Sequence, residues 1–369
     1  MSIVAVLGCA GQEREAKTFP HATSVAVHVA RAPSSTERYC AWYGTEGADG
    51  VLYFGEAAFW SAKAKAGGDA TADLQQPGPQ LIGRFDLAAE RWLPPLEVGT
   101  ADSRSGVWDV LDGGDSEIYF TTFFEEAGSV QPATGRVRRL EIGGALNELA
   151  HGPDGTVLAS RYGSGSANAG DGDVIAFDRN GRIVRRWSLA APPGYRVAPK
   201  TPLWDGLRSE LWVTTDQLPI ASVPGTDLAP RQDAIAVDAS GHARLLPEPP
   251  EILFLAKGRD GEIYRAEADE HSLWLAIVPP RGAPRRVLLD DAFAPGLDFA
   301  QDIQVSADGR VVVTRWSGVV HVLERDGRVR SAALPRPDAA GLYYTGVLYG
   351  QRLCVTYCAD VTVVCVDAP

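Results

Sequence analysis

Short runs of alternating apolar and polar residues recur along the chain, and the clearest set lies between positions 146 and 181. Alternation with a period of two is typical of strands that bury one face. The predicted strands are residues 147–150, 156–160, 174–177 and 183–187. Asp154-Gly155 and Asn180-Gly181 separate two of the pairs, and such dipeptides are typical of tight β-hairpins. The pattern therefore predicts a four-stranded antiparallel sheet, the blade of a β-propeller.

Two kinds of turn recur at intervals of about 40–65 residues, the range of propeller repeats. One kind precedes a β-rich run and includes Asp49, Asp115, Asp154, Ser209, Asp260, Asp308 and Tyr349. The other follows an apolar strand end and begins at Phe85, Pro132, Phe177, Val237, Pro279 and Leu323. Their alternation predicts an all-β fold, a seven-bladed β-propeller with four-stranded antiparallel blades, and six blades are the alternative.

The last blade has only three predicted strands, in residues 341–369. Its fourth strand is predicted at the other terminus, where residues 24–31 read SVAVHVAR with alternating valines. A closed ring leaves no free sheet edge. We therefore expect the N-terminal strand to complete the C-terminal blade, within a single propeller domain over residues 21–369.

The composition narrows the functional classes. The chain has 369 residues, of which 45% are apolar and 22% charged, as in a soluble protein with a sizeable core. Its formal net charge of −12 argues against nucleic acid as a partner, because phosphate binding requires a basic surface. The same charge mildly favours cationic ligands or metal ions.

The strings LNELAHGPDGTVLAS and AQDIQVSADGRVVVT resemble the repeat of NHL-type and senescence-marker-protein/gluconolactonase-like propellers. The resemblance covers most of the chain and implies the architecture, but binding proteins, lactonases and lyases share it. The gluconolactonase-like enzymes hold a metal with Glu, Asn and Asp at the starts of inner strands. Asn147 and Asp205 match that pattern best, whereas Tyr43 stands where the family has its Glu.

The innermost strand of each blade lines the central channel, and its first residues stand at the channel mouth. Aligning the blades on their first turns predicts one equivalent position, occupied by Tyr43, Asp109, Glu148, Asp205, Phe254, Asp302 and Thr345 or a neighbour. Beside this row stand Trp108, Asn147, Trp204 and Gln301. Several oxygen ligands are what Ca²⁺ or a similar divalent cation requires. The tentative metal ligands are Asp109, Asn147, Glu148, Asp205 and Asp302.

The same acids can instead have a structural role, in which they pair with basic residues of the protein. Arg161, Arg265 and Arg315 follow the second strands of their blades, so they are predicted near the same mouth, where they would neutralise the carboxylates or contact a ligand. His271, in the loop AEADEH, is the candidate general base, and His151 is predicted deeper along its inner strand. No nucleophile-elbow, phosphate-loop or zinc-protease motif is present.

Uneven connections between second and third strands predict a lid over the mouth. The long ones are residues 56–80, which include Phe59 and Trp60, together with residues 123–132, 163–172 and 216–233. Insertions that gather on one face are typical of binding or catalytic regions.

The five cysteines of the chain bear on the cellular compartment in which the protein works. Cys9 lies in a truncated lipobox-like segment, residues 1–20, and would carry a lipid. A turn at Ala359-Asp360 places Cys354 opposite Cys365, close enough for a disulfide. Cys40 and Cys358 would form a second pair, and four reduced thiols are the alternative.

Two functions remain open from the sequence. The first is a monomeric, lipid-anchored protein of the bacterial cell envelope that binds a small molecule or a protein at its mouth without catalysis. The second is a metal-dependent hydrolase, lactonase or lyase. A cytoplasmic location is the alternative to the envelope.

Overall fold

The computed structural model describes residues 28–31, 39–58, 79–99, 106–114, 116–122, 126–162, 172–219, 231–246, 252–258, 260–293, 298, 300–335, 341–358 and 361–369. These residues form seven four-stranded antiparallel sheets. A single 3-10 turn, Pro153–Gly155, is the only helical segment in that part of the chain, and none of its helices is long or apolar enough to cross a membrane. The predicted seven-bladed β-propeller with four-stranded blades is confirmed.

The strands are numbered in chain order, and blades one to six take four consecutive strands each. The first strand is β1 His28–Arg31. Blade one contains β2 Tyr39–Glu46, β3 Val51–Ala58, β4 Leu81–Asp86 and β5 Arg91–Glu97. Blade two contains β6 Asp109–Asp112, β7 Ile118–Thr121, β8 Ala127–Gln131 and β9 Arg136–Leu140. Blade three contains β10 Ala145–His151, β11 Val157–Tyr162, β12 Asp173–Phe177 and β13 Ile183–Ser188.

The remaining blades follow the same order. Blade four contains β14 Tyr195–Asp205, β15 Glu210–Pro219, β16 Arg231–Val237 and β17 Ala243–Leu245. Blade five contains β18 Ile252–Lys257, β19 Ile263–Ala268, β20 Leu273–Val278 and β21 Arg285–Asp290. Blade six contains β22 Ala300–Val305, β23 Val311–Arg315, β24 Val319–Leu323 and β25 Val329–Ala333. Blade seven contains β26 Leu342–Tyr349, β27 Arg352–Cys358 and β28 Val361–Asp367.

Blade three shows how the sequence forms a blade. Its middle strand β12 is buried at every position, whereas the outer strand β13 buries mainly Trp187. The turn between these strands holds Gly181 at φ +81°, a left-handed conformation that glycine adopts without steric cost. The four strands predicted between positions 146 and 181 are all present, with small changes at their ends.

The N-terminal strand completes the last blade, as predicted. β1 pairs antiparallel with β28, so that Val29 lies opposite Val364. The sheet order is β1-β28-β27-β26.

The contacts within the chain divide it into two compact units. The four-blade unit, Val107–Phe293, contains blades two to five. Leu146, Ile175 and Phe177 belong to one of its core clusters. The three-blade unit, Ser2–Gly106 with Ala294–Pro369, contains blades one, six and seven, and Tyr343 and Tyr357 anchor a core cluster there. The single domain over residues 21–369 stays a prediction, and residues 1–20, with Cys9, lie outside the described residues.

Two disulfides are formed, and they replace the alternative of reduced thiols. Cys354 lies directly opposite Cys365 on β27 and β28 and is bonded to it. Cys40 of β2 is bonded to Cys358 of β27, at a sequence separation of 318. The second bridge therefore ties blade one to blade seven.

The predicted loops need correction. Residues 123–132 are not one long loop, because they include strand β8. The strands of blade four extend into the expected loop, to Pro219 on one side and from Arg231 on the other. Residues 59–78, 163–171 and 220–230 lie outside the described residues, so the lid stays a prediction.

Candidate functional site

A β-bulge interrupts the inner strand at the same place in six blades. The pairing of the inner with the second strand shifts register after Ala41, Leu146, Pro199, Ile252, Ala300 and Tyr343. Bulges redirect side chains and occur often beside functional sites. In blade two, the inner strand instead begins at this level, with Asp109 opposite Thr121.

The bulges define one equivalent position in every blade, which we call the inner row. Its members are Tyr43, Asp109, Glu148, Thr201, Phe254, Asp302 and Thr345. In blades three, four and seven the backbone N–H of the row residue donates to a hydroxyl on the second strand, at 3.0, 3.1 and 3.0 Å. Six of the seven predicted row residues therefore occupy equivalent positions.

The prediction for blade four was wrong. Asp205 is the last residue of β14, at the turn into β15, which is the opposite end of the strand from the bulge. Its Oδ1 accepts the backbone N–H of Leu207 at 3.0 Å, and its carboxylate pairs with Arg208. Trp204 lies beside it at that far end. Because β14 continues for several residues beyond its bulge, Thr201 and not Asp205 takes the row position.

The row residues of the four-blade unit join blade two to blade three. Asp109 accepts the backbone N–H of Leu149 at 2.7 Å and that of Val110 at 2.8 Å. Thr121 donates its hydroxyl to the backbone oxygen of Asn147 at 2.9 Å. Hydrogen bonds from backbone N–H groups are what a buried carboxylate needs, so these contacts support a structural role for Asp109.

Aromatic side chains pack closely at the inner row of the three-blade unit. The ring centroids of Trp42 and Tyr344 are 4.7 Å apart, and those of Tyr43 and Tyr344 are 5.6 Å apart. Gln301 donates to the hydroxyl of Tyr43, and Thr345 accepts the backbone N–H of Gly44 at 3.0 Å.

Asp302 belongs to the same three-blade row and is buried. Burial raises its pKa to about 6, although hydrogen bonds from Gln304, Thr345 and the backbone of Ile303 oppose that shift. The Gln304 amide donates to its carboxylate at 2.9 Å. Asp302 therefore titrates closer to neutral pH than an exposed aspartate.

The three predicted arginines pair with acids that the alignment did not single out. Arg161 binds Asp173 through two nitrogens, at 2.8 and 2.7 Å. Arg265 contacts Glu267 at 2.6 Å. Arg315 contacts Asp298 at 2.8 and 2.7 Å through two nitrogens. The predicted neutralisation of the row carboxylates by these arginines is thus replaced by separate ion pairs.

Polar side chains of blades two and three form a network in the four-blade unit. The indole N–H of Trp108 donates to Asn147 Oδ1 at 2.8 Å, and Asn147 Nδ2 donates to the hydroxyl of Tyr162 at 2.8 Å. Asn147 also reaches the backbone oxygen of Pro199 in blade four, at 3.4 Å. The network holds the buried Asn147 and the half-buried Trp108 and Tyr162 in fixed positions beside the row.

Blade four adds a charged pair that the alignment missed. Lys200, in the bulge next to Thr201, faces Asp216 with 3.4 Å between Nζ and Oδ1. The sequence did contain a signal for the row position of blade four, namely its distance from the second strand. Thr201 precedes the first residue of the second strand, Glu210, by nine positions, the same interval that separates Glu148 from Val157.

Buried oxygens of blade four that accept no hydrogen bond from the described residues include Thr201 Oγ1 and Gln232 Oε1. Asp216 Oδ1 also accepts no hydrogen bond, but it lies 3.4 Å from Lys200 Nζ, within the distance of an ion pair. Asp216 and Gln232 lie opposite each other on β15 and β16. Buried acceptors without a donor cost free energy, so they are typical of places that a ligand or ordered water completes.

The predicted metal site does not fit these residues. Within the described ranges, no three His, Cys, Asp or Glu side chains are grouped closely enough to hold a metal ion. Asn147 Oδ1, which would be the ligand atom, accepts the Trp108 indole N–H, and Asp205 lies at the other end of its strand. Six or more converging oxygens, as Ca²⁺ requires, are not formed by this set.

The predicted general base lies on a surface turn. His271 is exposed between β19 and β20, and its backbone N–H donates to Asp269 at 3.1 Å. His151 is the last residue of β10, far from the bulge. No described contact joins either histidine to the inner row.

Phe254 of the inner row lies opposite Ala266 and is buried in blade five.

Comparison with known proteins identifies the fold. No family model matches the chain, and no curated protein matches it. A catalytically inactive variant of virginiamycin B lyase from Staphylococcus aureus, solved with quinupristin, has a TM-score of 0.64 at 11% identity, covering 94% of this chain and 100% of that chain. A protein named as a candidate gluconolactonase has a TM-score of 0.47 at 14% identity, covering 80% of this chain and 94% of that chain. At such identities the likeness shows only that this chain folds as a β-propeller, here with seven four-stranded blades.

Proposed function

We propose that this protein binds a small polyhydroxylated molecule at the bulged ends of the inner strands in blades two to four. One observation carries the proposal: Thr201 and Gln232 each hold a buried oxygen without a hydrogen-bond donor among the described residues, beside the charged pair of Lys200 and Asp216. Leaving a buried acceptor unpaired costs about 1–3 kcal/mol. Hydroxyl groups of a ligand would supply the missing donors.

The surroundings of these oxygens support a sugar-like ligand. Lys200 supplies N–H donors for ligand oxygens, and the half-buried rings of Trp108 and Tyr162 supply flat apolar surface. Binding sites commonly combine apolar walls with a few placed polar groups. The net charge of −12 disfavours strongly anionic ligands, nucleic acid included.

The test is the substitution Thr201→Val, which keeps the shape and removes the unpaired hydroxyl. Calorimetric titration of neutral mono- and disaccharides and polyols would identify a ligand of the wild-type protein. We expect Thr201→Val to weaken its affinity by about 3–10-fold, the value of one hydrogen bond. The unliganded variant should melt at the same temperature or higher, because an unpaired polar group is lost.

Thr215→Val is the matched control in the same blade. Its hydroxyl already donates to the backbone oxygen of Asp233, at 3.3 Å. We therefore expect lower stability and unchanged affinity. The proposal fails if no member of the panel binds, or if Thr201→Val binds the ligand as tightly as the wild type.

We further propose that the protein works outside the cytoplasm as a monomer, anchored by a lipid at Cys9. Two disulfides support an oxidising compartment. Expression of the wild type and of Cys9→Ser, followed by membrane fractionation, tests the anchor. Loss of membrane association in the variant would support it, and equal distribution of both forms would refute it. The metal-dependent hydrolase or lyase has no specific support from the described residues.

A further inference from the structure

A cavity lies in the four-blade unit, at the opposite ends of the strands from the bulges. Its volume is about 410 Å³, and its lining includes Asp154, Thr156, Val184, Arg185, Trp204 and Ser209. These residues lie at the end of the inner strand β14, on the turns that follow the inner strands of blades three and four, and on the outer strand β13. The cavity is therefore separate from the site of the proposed function.

Arg185 is held rigidly in this cavity. Its guanidinium carbon lies 4.6 Å from the ring centroid of Trp187 and 5.9 Å from that of Trp204. The two indoles are 6.0 Å apart. Arg185 Nη2 also donates to the backbone oxygen of Ala239 at 2.9 Å. Stacking and this hydrogen bond fix the plane of the guanidinium group.

The charge of Arg185 is not neutralised by an acid among the described residues. Its neighbours in the chain differ, since Arg182 pairs with Asp178 at 3.1 Å and Arg186 pairs with Asp173. A planar guanidinium with a fixed orientation presents parallel N–H donors that match the two oxygens of a carboxylate. A guanidinium without an acidic partner on the protein is available to bind an anionic group of a ligand.

The other residues that line the cavity favour an anion with an apolar body and a single negative charge. Trp204 is half buried and Val184 is 47% exposed, so they offer apolar surface beside the arginine. Asp154 is an exposed acid on the same cavity and repels a group with two negative charges more than a group with one. We propose that this cavity binds a monocarboxylate that carries a flat apolar body, with Arg185 binding the carboxylate and Trp204 contacting the body.

The experiment compares two probes of equal shape, 2-naphthoate and 2-naphthamide, by saturation-transfer NMR and titration calorimetry on the wild-type protein. We expect the carboxylate to bind at least tenfold more tightly than the amide. Equal affinity of the two, or no binding of 2-naphthoate at millimolar concentration, would overturn the proposal. This comparison needs no variant, so a folding defect cannot obscure it.

Two variants assign the contacts. Arg185→Gln should lower the affinity for 2-naphthoate at least tenfold and leave that for 2-naphthamide unchanged. Arg182→Gln is the matched control, because Arg182 is an exposed arginine near the start of the same strand and does not line the cavity. It should bind both probes as the wild type does. Retention of 2-naphthoate affinity in Arg185→Gln would contradict the assignment.

A third probe, 2-naphthyl phosphate, tests the selection by charge. It should bind more weakly than 2-naphthoate, and weaker binding still in Arg185→Gln would support the same contact. Tighter binding of the phosphate than of the carboxylate would refute a monocarboxylate site.

Discussion

The two units use the same position of the inner strand in different ways. In the three-blade unit, three aromatic residues at the bulges pack on one another, namely Trp42, Tyr43 and Tyr344. In the four-blade unit, the same level carries several polar side chains, and Thr201 keeps a buried hydroxyl without a partner among the described residues. A disulfide, Cys40–Cys358, also ties blades only in the three-blade unit, among the residues described.

The difference means that the same position of the repeat stabilises the fold in one unit and is available for binding in the other. Aromatic packing and a covalent bridge stabilise blades one and seven, where the N-terminal strand meets the C-terminal blade. Unpaired acceptors do the opposite, since they cost stability unless a ligand completes them. Propeller repeats allow this division because each blade carries its own four-stranded sheet and needs only complementary neighbours.

The largest effect should come from the bridge between blades one and seven. Cys40→Ala with Cys358→Ala opens a loop of 318 residues, for which chain entropy predicts a loss of about 6 kcal/mol. Cys354→Ala with Cys365→Ala opens a loop of 11 residues and should cost about 3 kcal/mol. Guanidinium unfolding of the two double variants measures both. A larger loss for the second pair would contradict the importance of ring closure.

Asp302 should make the three-blade unit less stable as the pH rises. Its pKa is raised to about 6 in the folded state, so the folded protein binds a proton more tightly than the unfolded chain does. The free energy of unfolding should fall by about 2 kcal/mol between pH 4 and 7 through this group. Asp302→Asn should remove that fall, as urea unfolding at several pH values would show.

Asp326 provides a control of opposite sign in the same unit. The backbone N–H of Arg328 lowers the pKa of this exposed carboxyl. Its contribution to stability is present above the unfolded pKa and is lost as the pH falls through the lower, folded value. Asp326→Asn should therefore lose stability at neutral pH and not at strongly acidic pH. A pH profile for Asp302→Asn that parallels the wild type would rule out the raised pKa.

Asn147→Leu tests the polar network of the four-blade unit. The substitution leaves the Trp108 indole N–H and the Tyr162 hydroxyl without their partner, at an expected cost of about 2 kcal/mol. Tyr43→Phe in the three-blade unit removes one hydroxyl that accepts from Gln301 and should cost about 1 kcal/mol. Urea unfolding measures both, and the reverse order would mean that the aromatic cluster depends more on hydrogen bonds than on packing.

The smallest effect should follow metal removal or addition. A metal present at 100 times its Kd would stabilise the fold by about 2.7 kcal/mol. Because Asn147 Oδ1 accepts the Trp108 indole N–H and Asp205 lies at the other end of its strand, we expect EDTA, Ca²⁺, Mg²⁺, Mn²⁺ and Zn²⁺ to leave the melting temperature unchanged. A rise that is specific to one metal and absent in Asp109→Asn would contradict this and revive the metal-dependent alternative.

Much of the candidate site was predictable because it depends on short intervals. Asp109, Glu148 and Asp302 each stand nine residues before their second strand. Asp205 was misplaced because it is the last residue of the 11-residue strand β14, too close to the start of β15 at Glu210 to lie at the bulge. The same nine-residue rule, applied strictly, identifies Thr201 and brings Lys200 beside it.

The amino-acid sequence was enough to predict seven blades, the completion of the last blade by the N-terminal strand and the Cys354–Cys365 pair. These features follow from alternation with a period of two and from turn residues, which act over a few positions. The folded structure was needed to show that Asn147 joins Trp108, 39 residues away, and Pro199, 52 residues away. It also showed that Arg161 binds Asp173 and that Arg185 stacks on two indoles. Such partners depend on how sheets pack side by side, and that arrangement leaves no local pattern in the chain.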